Sequence, residues 1–194
     1  MTLIKSISGI RGTIGGKPGE GLTPVDIIKF AAAYGTWVKE RNPGKRILVV
    51  IGRDARISGP VVSSLVITAL RSLGIDVTDL GMATTPTVEI AVAGMGANGG
   101  IIVTASHNPG EWNALKLLNE KGEFLSASDG ESVLENARSE NFEFVASGCE
   151  GSLAYDDTWN QKHIEQILRL ELVDRSLIAT AGFTAAVDCI NSVG

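Results

Sequence analysis

Apolar residues in this chain fall into short runs of two kinds, and the kinds alternate. Val25, Ile28, Ala32 and Val38 recur at the spacing of one helical face. Thr23 supplies an N-cap for that helix, Pro24 fits its first turn, and Asn42, Pro43 and Gly44 stop it. Residues 46–51, RILVVI, are continuously apolar, as in a parallel strand covered on both faces. A polar loop, GRDARISGP, leads to a helix over 61–74 that closes on Gly74, and 75–81 form the next strand. Thr84 to Thr87 turn into a short helix over 88–96, followed by a strand over 99–105. Residues 114–126 have the pattern of a short hairpin or an edge strand, and 129–140 that of a polar helix. Strands alternating with helices predict an α/β fold with a doubly wound, mostly parallel sheet sandwiched by helices.

Residues 140–155 keep no helical period and are rich in small side chains, so a domain boundary is expected there. The first domain is taken as 1–150. Residues 151–194 are expected to open a second, incomplete α/β domain, with a helix over 157–170 and a strand over 183–190.

Composition narrows the function classes. The balance of 44% hydrophobic and 20% charged residues is that of a globular protein, and the net charge of −5 with no basic cluster argues against nucleic-acid binding. No run approaches the roughly 20 apolar residues of a membrane span. The N-terminus lacks the roughly 7–15-residue apolar core of a signal peptide, so a cytoplasmic location and no membrane partner are expected. Cys149 and Cys189 match no zinc spacing and no CxxC, and are expected to be buried free thiols.

Two glycine-rich stretches are set aside. GMGANG at 94–99 spells a dinucleotide fingerprint, but it ends a helix and precedes a strand, the reverse of the required order. It reads as a helix stop and turn. GTIGGKPG lacks the spacing and hydroxyl residue of a phosphate-binding Walker loop.

The stretch VTASHNPGEWNALK, 103–116, holds the candidate chemistry. Ser106 can belong to a simple turn, since Ser, Asn and Pro all favour turns. As a hydrolase nucleophile it lacks the elbow glycines, and on extended backbone the adjacent His107 would face the other way. As a phosphoryl carrier it sits at the carboxyl end of a central strand, where α/β sheets place their sites. A phosphoserine carries about −1.5 to −2 charge, and Arg11, Arg53, Arg56 and Lys116 are cations at suitable places in the chain.

These residues resemble a known family. TASHNP at 104–109 resembles the phosphoserine loop of the α-D-phosphohexomutases: the phosphoglucomutases, phosphomannomutases and phosphoglucosamine mutases. SGIRG at 8–12 is similar to that family's N-terminal arginine motif, GRDAR at 52–56 to its G-R-D-x-R motif, ATTPT at 83–87 to its T-P segment, and NALK at 113–116 to its N-G-x-K. The resemblance covers 1–150, and 183–194 resemble the first strand of the family's second domain.

The resemblance implies a phosphoryl transfer between C1 and C6 of a hexose phosphate through phosphorylated Ser106 and a bisphosphate intermediate. It implies Mg²⁺ on a phosphoserine oxygen and hexose 1,6-bisphosphate as activator. Arg11 and Lys116 would flank the transferring group, and Lys116 or His107 would move or steady the hydroxyl proton. Asn108 would shape the loop, while Arg53, Asp54 and Arg56 would support it from the neighbouring strand end.

Three features depart from the family pattern. Ala114 replaces the glycine of N-G-x-K, a strained choice if that residue needs positive φ. Trp112 stands where the family often has Tyr. The acidic D-G-D-x-D-R metal loop is absent from these residues, as are the sugar-reading segment and the fourth, phosphate-binding domain. The chain is therefore expected to be part of a four-domain enzyme, to work with the remaining domains of the same protein, and to be inactive alone. The competing reading is a non-catalytic relative that binds sugar phosphates or another protein.

Overall fold

The computed structural model describes residues 1–6 and 9–193. In chain order its elements are β1 (Ile4–Ser6), β2 (Gly9–Thr13), α1 (Pro24–Arg41), β3 (Leu48–Arg53), α2 (Gly59–Ser72), β4 (Asp76–Met82), α3 (Thr85–Gly94), β5 (Gly99–Val103), β6 (Trp112–Leu118), α4 (Ala127–Ser139), β7 (Leu153–Tyr155), α5 (Trp159–Leu168) and α6 (Arg175–Thr180).

Helix α1 starts where its sequence says it should. The Thr23 hydroxyl accepts the Asp26 N–H, and the Asp26 carboxylate accepts the Thr23 N–H, a reciprocal capping box. Of the expected face, Ala32 and Val38 are buried but the two earlier positions are not. Ile27, Phe30, Ala31, Tyr34 and Val38 are inside, whereas Val25 and Ile28 are 58% and 39% exposed. The run 27–38 is apolar on more than one stripe, so spacing alone does not choose between registers. Tyr34 anchors the observed one: its buried hydroxyl donates to the Leu118 carbonyl at 2.7 Å. Burial pushes that phenol well above its usual range, which keeps it a donor. Gly99 makes the contact possible, because a Cβ there would lie 2.1 Å from the Tyr34 hydroxyl.

The strands form one sheet in the order β1-β2-β6-β5-β3-β4-β7. β5, β3, β4 and β7 pair in parallel, and β1, β2, β6 and β5 pair antiparallel. β2, β3, β4, β5 and β7 thus run one way, and β1 and β6 the other. Of the segment expected as a hairpin or edge strand, 114–118 lies in an interior strand, because β2 covers its outer side, and the chain then turns back as a short hairpin through a bridge between Leu118 and Phe124. The chain leaves β3 for β4 on one side, then returns through α3 to β5 on the other side of β3. β3 and β5 therefore flank a switch point, where a crevice opens at the carboxyl ends of α/β sheets.

Helices cover both faces. α1, α2 and α4 pack with Val49, Ile51, Ile101 and Leu115 on one side; α3 packs with Val50, Ile102 and Leu118 on the other. GMGANG ends α3 as expected, with Gly96 at φ 61 just past the cap. Among the described residues no helix is long and apolar enough to cross a membrane.

The sheet does not stop at residue 150. β7 extends it beside β4, and Trp159 at the start of α5 is buried in the α3-side core. Residues 153–159 thus pack on the first unit, since the uncovered edge of β4 and the face of α3 are the nearest surfaces for them. The strand expected over 183–190 is not formed; that segment is exposed and has no strand beside it to complete a ladder. A short helix, α6, precedes it and was not anticipated. Cys149 and Cys189, expected to be buried, are free but exposed, because both lie in segments off the core.

Asp76 adds side-chain bonds to the backbone pairing of β7 with β4. Its carboxylate pairs with Arg46 and accepts the Ser152 N–H and hydroxyl, each at 2.7 Å. The Arg46 hydrogen bond, opposed by burial and aided by Ser152, lowers its pKa to about 2. An unfolded aspartate titrates near about 3.9. This contribution to stability is thus complete above that value and is lost as pH falls towards 2. Urea midpoints of the wild type should drop across that window, and Asp76→Asn should be less stable at neutral pH and flatter below pH ~4. Equal pH slopes for the two proteins would count against this assignment.

Candidate active site

The carboxyl ends of β3 and β5 are tied together directly: the Asp54 N–H donates to the Val103 carbonyl at 3.1 Å. Beyond β5 the chain turns sharply. The Asn108 N–H and side-chain amide both donate to the Ala105 carbonyl, at 3.1 and 2.8 Å. At the tip Ser106 adopts φ 54, a left-handed conformation that costs a non-glycine residue about 1–2 kcal/mol. A strained residue of this kind persists only where its surroundings over-determine it.

Arg56 is that surrounding. Its Nη2 donates to the carbonyls of Ser106 and Asn108, both at 2.8 Å. Its Nη1 donates to those of Pro109 at 2.7 Å and Trp112 at 2.9 Å, and its Nε to Asp54 Oδ2 at 3.1 Å. The five N–H donors of the guanidinium are thereby used. Asp54 in turn accepts the Arg56 N–H and, at 2.6 Å, the Thr104 hydroxyl. The same Thr104 oxygen accepts the Ser106 N–H at 3.1 Å. Ser106 is therefore gripped through both of its backbone polar groups, while its side-chain hydroxyl makes no hydrogen bond to any described residue.

That hydroxyl borders a cavity of about 260 Å³ lined by Ser106, His107, Asn108, Arg11, Lys116 and Phe124, among others. Arg11 comes from β2, where it lies opposite Ala114; Lys116 comes from β6, opposite Ile102. Neither forms an ion pair among the described residues. The Lys116 ammonium sits 5.7 Å from the centre of the Phe124 ring. Burial raises the pKa of Glu89 on α3, and the charge of Lys116 partly offsets this. A second recess, about 350 Å³, lies on the other side of Ser106 and includes Asp54, Thr84, Thr85 and Ser192.

The structure thus assembles Ser106, His107, Asn108, Arg11 and Lys116 around one space, with Asp54 beside it. It removes Arg53. The Arg53 side chain packs against Gly59 at the start of α2, donates to the Asp54 carbonyl at 3.1 Å, and lines a separate groove with Arg71, Asp79 and Tyr155. As the last residue of β3 it shares the face of Val49 and Ile51, which is the α2 side. Asp54 pairs with Arg56 rather than Arg53.

Two other expectations change. Ala114 is an ordinary strand residue without positive φ, so its replacement of glycine brings no backbone strain. His107 and Ser106 border the same cavity, because left-handed backbone at Ser106 breaks the alternation that extended chain would impose. No hydrogen bond joins them, and the remaining histidine, His163, pairs with Thr87 at 2.9 Å on the α3–α5 contact. Ser8 of the SGIRG stretch lies outside the described residues.

Thr104, Asn113 and Phe124 were not singled out as site residues. Thr104 carries a readable signal, a hydroxyl two residues before a turn. Asn113 is wholly buried, donates to the Ser58 hydroxyl at 2.9 Å and so ties β6 to the start of α2. Phe124 is brought back beside Leu118 by an isolated antiparallel bridge, the return of the hairpin expected over 114–126.

Comparison with known proteins gives this arrangement a context. The family model for phosphoglucomutase/phosphomannomutase, alpha/beta/alpha domain I, matches residues 3–144. A phosphoglucomutase/phosphomannomutase from Thermococcus kodakarensis is 40% identical over 148 residues, covering 75% of this chain and 32% of that protein. A phosphoglucosamine/phosphogalactosamine mutase from Sulfurisphaera tokodaii is 30% identical over 187 residues, covering 96% of this chain and 39% of that one. A solved phosphoglucomutase/phosphomannomutase family protein from Burkholderia thailandensis superimposes with a TM-score of 0.66 at 27% identity, over 86% of this chain and 36% of the other. The chain spans between about a third and two fifths of the length of these proteins.

The Arg56 clamp is open to test. Arg56→Lys keeps the charge but has three donors in place of five, and should cost about 2–4 kcal/mol in unfolding free energy. Amide exchange over 105–112 should speed up far more than in the core strands. Exchange in that loop at wild-type rates would show that the carbonyls are held by something else.

Proposed function

Because the chain belongs to the phosphoglucomutase/phosphomannomutase family, we propose that Ser106 is the phosphoryl carrier of a phosphohexomutase acting between C1 and C6 of a hexose phosphate. The observation that carries this reading is a serine hydroxyl that, among the described residues, has no hydrogen-bond partner, on a strained turn at the sheet's switch point, bordering one cavity with two cations that form no ion pair among those residues. Glucose, mannose and glucosamine phosphates are the substrate class.

In the transfer, an oxygen of the sugar hydroxyl bonds to phosphorus and the Ser106 Oγ–P bond breaks, leaving its electron pair on Oγ. The hydroxyl proton ends on Oγ, with His107 or Lys116 as the group that moves or steadies it. Arg11 and Lys116 stabilise the charge on the phosphoryl oxygens, which is most of what catalysis of this reaction requires. Arg56 takes no part in that stabilisation, since its donors are committed to the loop. The bisphosphate then reverses its orientation and returns its other phosphoryl group to Ser106. Hexose 1,6-bisphosphate loads the free serine by the same step run backwards.

Mg²⁺ chemistry needs more than these residues offer. Among the described residues no group of three carboxylate, histidine or thiol side chains could hold a metal ion, and the Asp54 carboxylate is occupied by Arg56 and Thr104. They would contribute a phosphoserine oxygen at most, and no step is assigned to the metal. We place the acidic ligands in the rest of the full-length protein, and take these 194 residues alone to be inactive.

Full-length protein incubated with hexose 1,6-bisphosphate should gain a phosphoryl group on Ser106, read by peptide mass. Ser106→Ala should abolish turnover, and Lys116→Ala or Arg11→Ala should lower kcat by about 10²–10³-fold. A Ser106→Ala protein with wild-type turnover would sink the proposal.

A further inference from the structure

We propose that Thr104 is a positioning residue for this transfer: its hydroxyl occupies the Ser106 amide, so that a phosphoryl group on Ser106 cannot fold back onto its own backbone and stays facing Arg11 and Lys116. The inference rests on the reading of Ser106 as the carrier.

A threonine hydroxyl has one proton and two lone pairs. Here the proton is committed to Asp54 Oδ2 at 2.6 Å, which turns a lone pair towards the Ser106 N–H at 3.1 Å. Asp54 cannot swing away, because the Arg56 backbone N–H and Nε hold it at 3.0 and 3.1 Å. Thr104 is only 7% exposed, so water does not readily replace it as the acceptor. Its β-branch also restricts χ1, which keeps the hydroxyl in place.

A phosphoserine has three strong acceptor oxygens, and its own amide N–H is the donor closest to them along the chain. With that N–H free, the dianion would accept it. Such a bond stabilises the phosphoenzyme before transfer and must break as the phosphoryl group leaves. It therefore lowers kcat without changing how the sugar phosphate binds. Thr104 removes that resting place. The Ser106 carbonyl, held by Arg56, fixes the other side of the residue. The phosphoryl group is then left with the cations of the cavity. The atoms exchanged are those of the transfer above; Thr104 changes only where the phosphoryl group waits.

The test uses full-length wild type, Thr104→Val, Thr104→Ser and Thr104→Ala, each loaded with hexose 1,6-bisphosphate. The Ser106 amide resonance is recorded before and after loading, along with steady-state kinetics. In the wild type this resonance should move little. In Thr104→Val it should move downfield on phosphorylation, with kcat reduced about tenfold at unchanged KM, the size of one hydrogen bond. Thr104→Ser should behave as the wild type. If Thr104→Val does not fold, Thr104→Ala must show the same downfield shift. A variant lacking the hydroxyl that loads phosphate but leaves the amide resonance where the wild type has it overturns the inference alone. A wild type that takes no phosphate on Ser106 overturns the carrier reading and this one with it.

Discussion

Four backbone carbonyls converge on one guanidinium in this structure, and the rest of the site is arranged around that fact. Ser106, Asn108, Pro109 and Trp112 turn their oxygens inward to Arg56. Brought that close without a cation, the carbonyl dipoles would repel one another and lose their water as well. A lysine has too few donors, whereas the planar arginine fork meets all four and still reaches Asp54. Asp54 balances the charge and passes the constraint through Thr104 to Ser106. The left-handed serine is thus the end point of a chain of hydrogen bonds that begins just past β3 and closes on the loop after β5.

This division of labour separates cations by what they can still do. Arg56 is 11% exposed and fully engaged, so it builds the loop and cannot touch a ligand. Arg11 and Lys116 form no ion pair among the described residues, and they come from the neighbouring strands β2 and β6, which pair antiparallel on the β5 side of the sheet. The field felt at Ser106 therefore comes from the β2–β6 side of the sheet, and the rigidity of the loop from the β3 side. Arg53, a neighbour of Asp54 in sequence, belongs to neither group because strand alternation sends it under α2.

Much of this was legible in the sequence, for identifiable reasons. Thr23 and Pro24, the RILVVI run and the Thr84–Pro86 turn each carry a local signal, and local signals survived folding. Ser106 was legible because strand ends after a parallel run are where such sheets collect polar groups; Arg11 and Lys116, which lie inside β2 and β6, were legible only through the short motifs that carry them. What was not legible depended on pairing across the chain. β1 and β2 are too short and glycine-rich to stand out, so β6 looked like an edge. The two arginines of GRDAR differ only in which side of a strand end they leave from. The strand expected at 183–190 had apolar residues enough, but no neighbour in the sheet to bond with.

Ser106 and Lys116 ride on one antiparallel pair, with Ile102 facing Lys116 and Val103 facing Leu115 across the ladder. The ladder, rather than any helix packing, sets the separation of the carrier from its cation. Leu115 and Leu117 both point into the opposite core. Deleting or inserting one residue between 104 and 111 by shifting the ladder would therefore bury the lysine and expose a leucine to the cavity. Length variation is barred from this loop for a reason separate from its hydrogen bonds. The stretch over 146–150, which pairs with no strand and bonds mainly within itself, is where insertions and deletions would leave the ladder undisturbed.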